Sequence, residues 1–127
     1  MKVKIKKVEK DTLDRELILL EVMENCNMNH FLILDATFGS DGKMSNLHRH
    51  VYLFDSLPVK KGDYVRLYTR KITSKDKPSF ENKRGTTTYQ FFWGLDEQIW
   101  NEDGDVAYLL HYDDWERLVV SPSGNEE

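Results

Sequence analysis

Residues 99–110 read IWNEDGDVAYLL, with four oxygen-bearing side chains, Asn101, Glu102, Asp103 and Asp105, around Gly104 and apolar residues on both flanks. Two readings compete. A twelve-residue calcium loop needs oxygen ligands at positions 1, 3 and 5, a glycine at 6 for the sharp turn and a bidentate glutamate at 12. Counted from Asn101, the oxygens fall correctly at Asn101, Asp103 and Asp105, but the glycine falls at 4 and position 12 is Tyr112. The spacing fails for an ion. Asp103-Gly104 accepts the positive φ of a tight turn, so the stretch reads instead as a β-hairpin or a tight turn, flanked by Ile99-Trp100 and residues 106–110.

Outward from this turn the chain is dominated by period-two alternation in short runs, the pattern of half-buried strands. Val3 and Ile5 alternate with Lys2, Lys4 and Lys6, and lysine on an edge strand discourages pairing with another chain. Residues 15–23, RELILLEVM, carry two patterns: Leu13, Leu17 and Leu20 would line a helix face, while the continuous Leu17-Ile18-Leu19-Leu20 fits a short strand covered on both faces. The strand reading is adopted. Residues 25–29, NCNMN, read as a turn, 30–38 as a strand, 39–47 as a loop and 48–54 as a strand. A turn at Lys60-Lys61-Gly62-Asp63 leads into YVRLYT, where Tyr64, Arg66 and Tyr68 face one way and Val65, Leu67 and Thr69 the other. Residues 86–93 and 115–120 complete an expected all-β sandwich of about eight strands in two sheets.

The 127 residues suit one domain, assigned to residues 1–120, with a frayed acidic tail at 121–127. The 39% hydrophobic and 12% aromatic content excludes a disordered chain. A single cysteine, Cys26, excludes an internal disulfide and favours a reducing compartment. The start, MKVKIKKVEK, has no apolar core after its lysines, and the longest apolar run, residues 106–110, is too short to span a bilayer. A cytoplasmic location with no membrane span is expected. The net charge of −4 divides unevenly: residues 1–94 carry 17 Lys/Arg against 12 Asp/Glu, a balance of +5, and residues 95–127 carry one against 10, a balance of −9. Such a division gives a dipolar surface able to orient partners.

Chemistry is sparse. His48 and His50 stand two apart on a strand and would project from one face as metal ligands do, but no third ligand accompanies them; His30, His111 and Cys26 lie at unrelated spacings. Hydrogen-bonded histidines on a half-exposed face are the simpler reading. Cys26 has no basic neighbour in sequence to activate it, and the chain holds no G-x-S-x-G elbow, phosphate loop or dinucleotide fingerprint. No catalytic residue and no cofactor is implied. Residues 71–85, KITSKDKPSFENKRG, hold Lys71, Lys75, Lys77, Lys83 and Arg84 against Asp76 and Glu81. These lysines could neutralise phosphates and Phe80 could stack on a base, although a pI near 5.6 is unlike that of a nucleic-acid binder. The aromatics Tyr89, Phe91, Phe92, Trp93, Trp100, Tyr108 and Trp115 read as core and rim, and any that lie exposed mark a partner surface.

The succession HVYLF at 50–54, VKKGDYVRLYT at 59–69 and WN followed by GDVAYL at 104–109 resembles the lamin-tail-domain family, whose members commonly carry an aromatic strand, a "pGdyV.vyT" strand and a "vWnn.gD.a.L" hairpin, in that order. The resemblance covers residues 48–120. Residues 1–47 match in outline, with 31–35 in the place of the strand leading to an "L.D" pair and without the tryptophan frequent before it. It implies an immunoglobulin-like β-sandwich and a non-catalytic module, since the family supplies no fixed catalytic residues. Relatives in lamins act through protein and DNA contacts on the sandwich surface. The expectation is therefore a binding or scaffolding module that engages a protein partner through loops and an exposed sheet face, with nucleic-acid or anionic-surface binding through residues 71–84 as the alternative.

Overall fold

A computed structural model describes residues 1–37, 48–100 and 105–121, the side chains of Thr37, His48 and Arg49 excepted. Among these residues it is all-β, with ten strands and one 3-10 turn: β1 Val3–Glu9, β2 Leu17–Val22, β3 Cys26–Asn27, the 3-10 turn Met28–His30, β4 Phe31–Thr37, β5 His48–Leu53, β6 Pro58–Val59, β7 Tyr64–Tyr68, β8 Ser79–Glu81, β9 Thr87–Phe92 and β10 Asp105–His111. They form a five-stranded sheet in the order β1-β2-β7-β9-β8, a three-stranded sheet β10-β4-β5, and the short pair β3-β6.

The two larger sheets share one core. Val3, Ile18, Leu20, Val22, Val65 and Leu67 come from the first and Phe31, Ile33 and Phe54 from the side of the second, with Met28, Ile99 and Trp100 filling between them. Full burial of each such side chain stabilises by roughly 1.5–3 kcal/mol relative to exposure. The alternation within β7 is as the sequence requires: Val65 and Leu67 are buried, while Tyr64, Arg66 and Tyr68 are half-buried on the outer face. Residues 17–22 are strand, and β1 lies at the sheet edge as its lysines suggest. The sequence of β1 breaks its own alternation with Lys6-Lys7, and a bulge between Ile5 and Lys7 absorbs the extra residue, so that Val8 packs against the core again.

Polar groups close the ends. Glu16 is 0% exposed, and its two carboxylate oxygens each accept a backbone N–H, from Ile99 and Trp100 at 3.1 Å. Buried Asp63 accepts from the N–H of Lys60 at 2.8 Å and of Thr87 at 2.9 Å, tying the turn before β7 to the start of β9. That turn needs Gly62, whose φ is +94°.

Several expectations are corrected. The pairing of β7 with β9 is parallel, with β8 antiparallel beyond it; a parallel pair needs a long crossover, which residues 69–86 supply, so the long polar stretch contains a strand rather than being all loop. Residues 25–29 hold a two-residue strand and a 3-10 turn. Ile99 and Trp100 belong to no strand, and β10 pairs along its whole length with β4, from Asp105 opposite Thr37 to His111 opposite Phe31. The flanks of the expected turn therefore do not pair with each other. The turn residues 101–104, the expected loop at 39–47 and the tail beyond Ser121 lie outside the described residues. Residues 115–120, expected as a strand, belong to no sheet.

Candidate functional site

Two surfaces carry the residues that could meet a partner. The first is the outer face of the five-stranded sheet with the crossover beside it. Arg70 organises it: its guanidinium makes paired hydrogen bonds to Asp76 at 2.7 and 2.9 Å and a further bond to the Asp14 carbonyl at 3.2 Å. It also lies over the rings of Tyr68, at 4.7 Å, and Phe92, at 5.0 Å, which are stacked within 8° of parallel. Asp76 also accepts from the Thr73 N–H and hydroxyl. The Arg70 guanidinium, reinforced by those bonds, holds the Asp76 carboxyl well below the usual carboxylate range, and Asp76 in turn raises Arg70.

Of the basic residues expected to act together, the structure gathers some and disperses others. Lys71 pairs with Asp96 at 3.1 Å. Lys75 and Lys77 are exposed on the stretch pinned by Asp76, and Gln90 donates to the Lys77 carbonyl. Lys83 and Arg84 are exposed at the turn between β8 and β9, where the Asn82 N–H donates to the Thr86 carbonyl. Phe80 is brought in from β8 to lie under Arg66, 5.2 Å from ring centre to guanidinium. A groove of about 290 Å³ runs along this face past Leu19, Arg66, Tyr68 and Arg70.

Of the histidine pair, the structure describes the side chain of His50 alone; that of His48 lies outside the described residues. His50 hydrogen-bonds through Nδ1 to the buried Asp35 at 3.3 Å, and its N–H donates to the same carboxylate at 2.6 Å. Its ring stands edge-on to Trp93. His30 and His111 are 6.1 Å apart, and among the described residues no group of three His, Cys, Asp or Glu could hold a metal ion. Burial pushes the Cys26 thiol up, away from the reactive thiolate.

The second surface was missed as a site. Register places Leu53 and Leu110 beside Leu32, and Val51 and Tyr108 beside Leu34, all on the side of the three-stranded sheet turned away from the core. Val51 is 51% exposed and Leu53 60%. The signal was present in sequence: FLIL in β4 and VAYLL in β10 are apolar at consecutive positions, the pattern of strands covered on both faces; on this outer face Leu34 and Ala36 are buried and Leu32, Tyr108 and Leu110 half-buried, while Val51 and Leu53 stand out. At one end of this face is a groove of about 670 Å³ whose lining includes Leu32, Leu53, Leu110, Asp55 and Trp115. The chain leaves that groove from Tyr112, which is fixed to His30 by a backbone bond of 2.9 Å and a contact from His30 Nδ1 of 3.1 Å. Beyond it Trp115, Leu118, Val119 and Val120 are 70%, 72%, 65% and 77% exposed. Among the described residues no helix is long and apolar enough to cross a membrane. Compared with protein-family models, curated proteins and solved structures, the chain matches none.

Proposed function

We propose that this chain is a non-catalytic binding module of lamin-tail-like, immunoglobulin-like architecture that engages a protein partner across the outer face of its three-stranded sheet. The observation that supports it is an apolar outer sheet face on which Leu34 and Ala36 of the central strand are buried while Val51 and Leu53 of the edge strand are more than half exposed. Contiguous apolar surface of this kind is characteristic of protein contacts. Catalysis has no comparable support: among the described residues His50, the histidine nearest a carboxylate, pairs with Asp35 and stands edge-on to Trp93. A photoreactive side chain placed at position 51 or 53 of the full chain, irradiated in the native source, should form protein adducts that the same group at Lys4 on the opposite sheet does not. Absence of any protein adduct at both positions overturns the reading.

A second reading has one observation in its favour: Phe80 and Arg66 join the Tyr68–Phe92 stack on one face beside Lys75 and Lys77, a combination of cations and rings suited to single-stranded nucleic acid. Binding that falls steeply with salt and is lost when Lys75, Lys77, Lys83 and Arg84 are neutralised supports it. Salt-insensitive or absent binding removes it.

A further inference from the structure

We infer that the occupant of the apolar face is a second copy of this chain, each copy laying residues 115–120 onto the other's three-stranded sheet. The inference rests on the reading of that face as a protein-binding surface and adds the identity of the partner. The same molecule carries both halves of the contact: an apolar groove and face at Leu32, Val51, Leu53 and Leu110, and an apolar segment, WERLVV, exposed along its length.

The segment is apolar on both sides. Laid out as a strand, Trp115, Arg117 and Val119 share one side, and Glu116, Leu118 and Val120 the other. Trp115 lines the groove of its own chain, so its side is partly supplied at home. Leu118 and Val120 have no such surface, and a two-sided segment needs two. Because Tyr112 fixes the segment's root at the groove's rim, a twofold axis beside the rim would lay each segment on the other copy's face, the reciprocal contact of an isologous interface.

Sedimentation of the full chain from about 1 µM to about 100 µM, a range that brackets micromolar association, should show a monomer–dimer equilibrium. Leu118→Glu, which spoils the segment, and Leu53→Asp, which spoils the face, should each weaken dimerisation at least tenfold. Mixed together they should recover a heterodimer that neither forms alone, because one of the two reciprocal contacts is then intact. Circular dichroism identical to wild type establishes that each variant is folded, and truncation after Asp114 provides a second way to remove the segment. A chain monomeric throughout the range overturns the inference, as does a dimer lost in Leu53→Asp but kept after truncation, which would be two faces stacked without exchange. A monomeric chain whose position 53 still cross-links a different protein overturns the second copy while leaving the proposed function standing; no adduct and no dimer removes both.

Discussion

The outer faces of the two sheets receive the same kind of inner strand and differ in what flanks it. The outward residues of β2 and β4 are covered alike: Leu17 and Leu34 are each 6% exposed, and Leu19 and Leu32 are half-buried, with Arg66 and Tyr68 of β7 beside β2 and Arg70 following from the crossover. Long amphipathic side chains cover apolar surface with their stems and keep their charge in water. In the three-stranded sheet the neighbours of β4 are β5 and β10, which add Val51, Leu53, Tyr108 and Leu110. Tyr108 can cover its neighbours there as Tyr68 does, but Val51 and Leu53 on the edge strand β5 stay 51% and 60% exposed. A strand's apolar face is thus an internal feature or a docking surface according to its neighbours, and a run such as LILL or FLIL does not distinguish the two.

The comparison can be broken experimentally. The largest effect is expected at Glu16, whose carboxylate serves two buried N–H groups on the five-stranded side. Glu16→Ala should cost about 3 kcal/mol in denaturant unfolding, with Glu16→Gln intermediate because it keeps one acceptor. Gly62→Ala should cost about 1–2 kcal/mol, since a side chain there combines a strained backbone with a Cβ 3.0 Å from Thr86 Cγ2. Asp76→Asn should act more weakly and depend on pH. The Asp76 carboxyl titrates lower in the folded chain than unfolded, so its contribution is complete above about pH 5 and fades as pH falls through the unfolded value toward the folded-state one. The gap in thermal midpoint between wild type and Asp76→Asn should therefore be present at pH 7 and close on acidification; a gap that widens in acid contradicts the pairing. Smallest of all, Leu53→Lys should change the stability of the dilute chain by no more than about 0.5 kcal/mol while reducing the binding of an apolar dye. A loss of several times that amount would make this face part of the core and erase the contrast between the sheets.

How much of this could be read in advance follows from what local chemistry can express. YVRLYT declared its two faces because alternation is a property of a single strand, and RELILLEVM resolved to strand for the reason its short apolar run suggested. The flanks of IWNEDGDVAYLL do not pair with each other, because turn chemistry near Gly104 speaks only of neighbours, whereas β10 finds its partner in β4 some seventy residues earlier. The crossover hid β8 for the same reason: Ser79-Phe80-Glu81 is unremarkable until Thr87, Thr88 and Tyr89 lie beside it. The basic residues 71–84 were legible as a group, but not that Asp76 and Asp96 would engage Arg70 and Lys71. Glu16 gave no local sign at all, since its partners stand 83 and 84 positions away.

The placement of β10 has a consequence for how the chain matures as it is made. Synthesis proceeds from the N-terminus, and segments fold as their partners emerge. By Phe92 all five strands of the larger sheet exist, along with β4 and β5 of the smaller, but β4 has only one neighbour, and the N–H groups that satisfy Glu16 are still to come. Ile99 and Trp100 supply those donors and two buried side chains, and β10 then gives β4 its second edge. The acidic last quarter of the chain is therefore the latch of the molecule: a nascent or truncated product ending before Ile99 would hold nearly every strand of the fold around a buried carboxylate with no donors and a core with one side open.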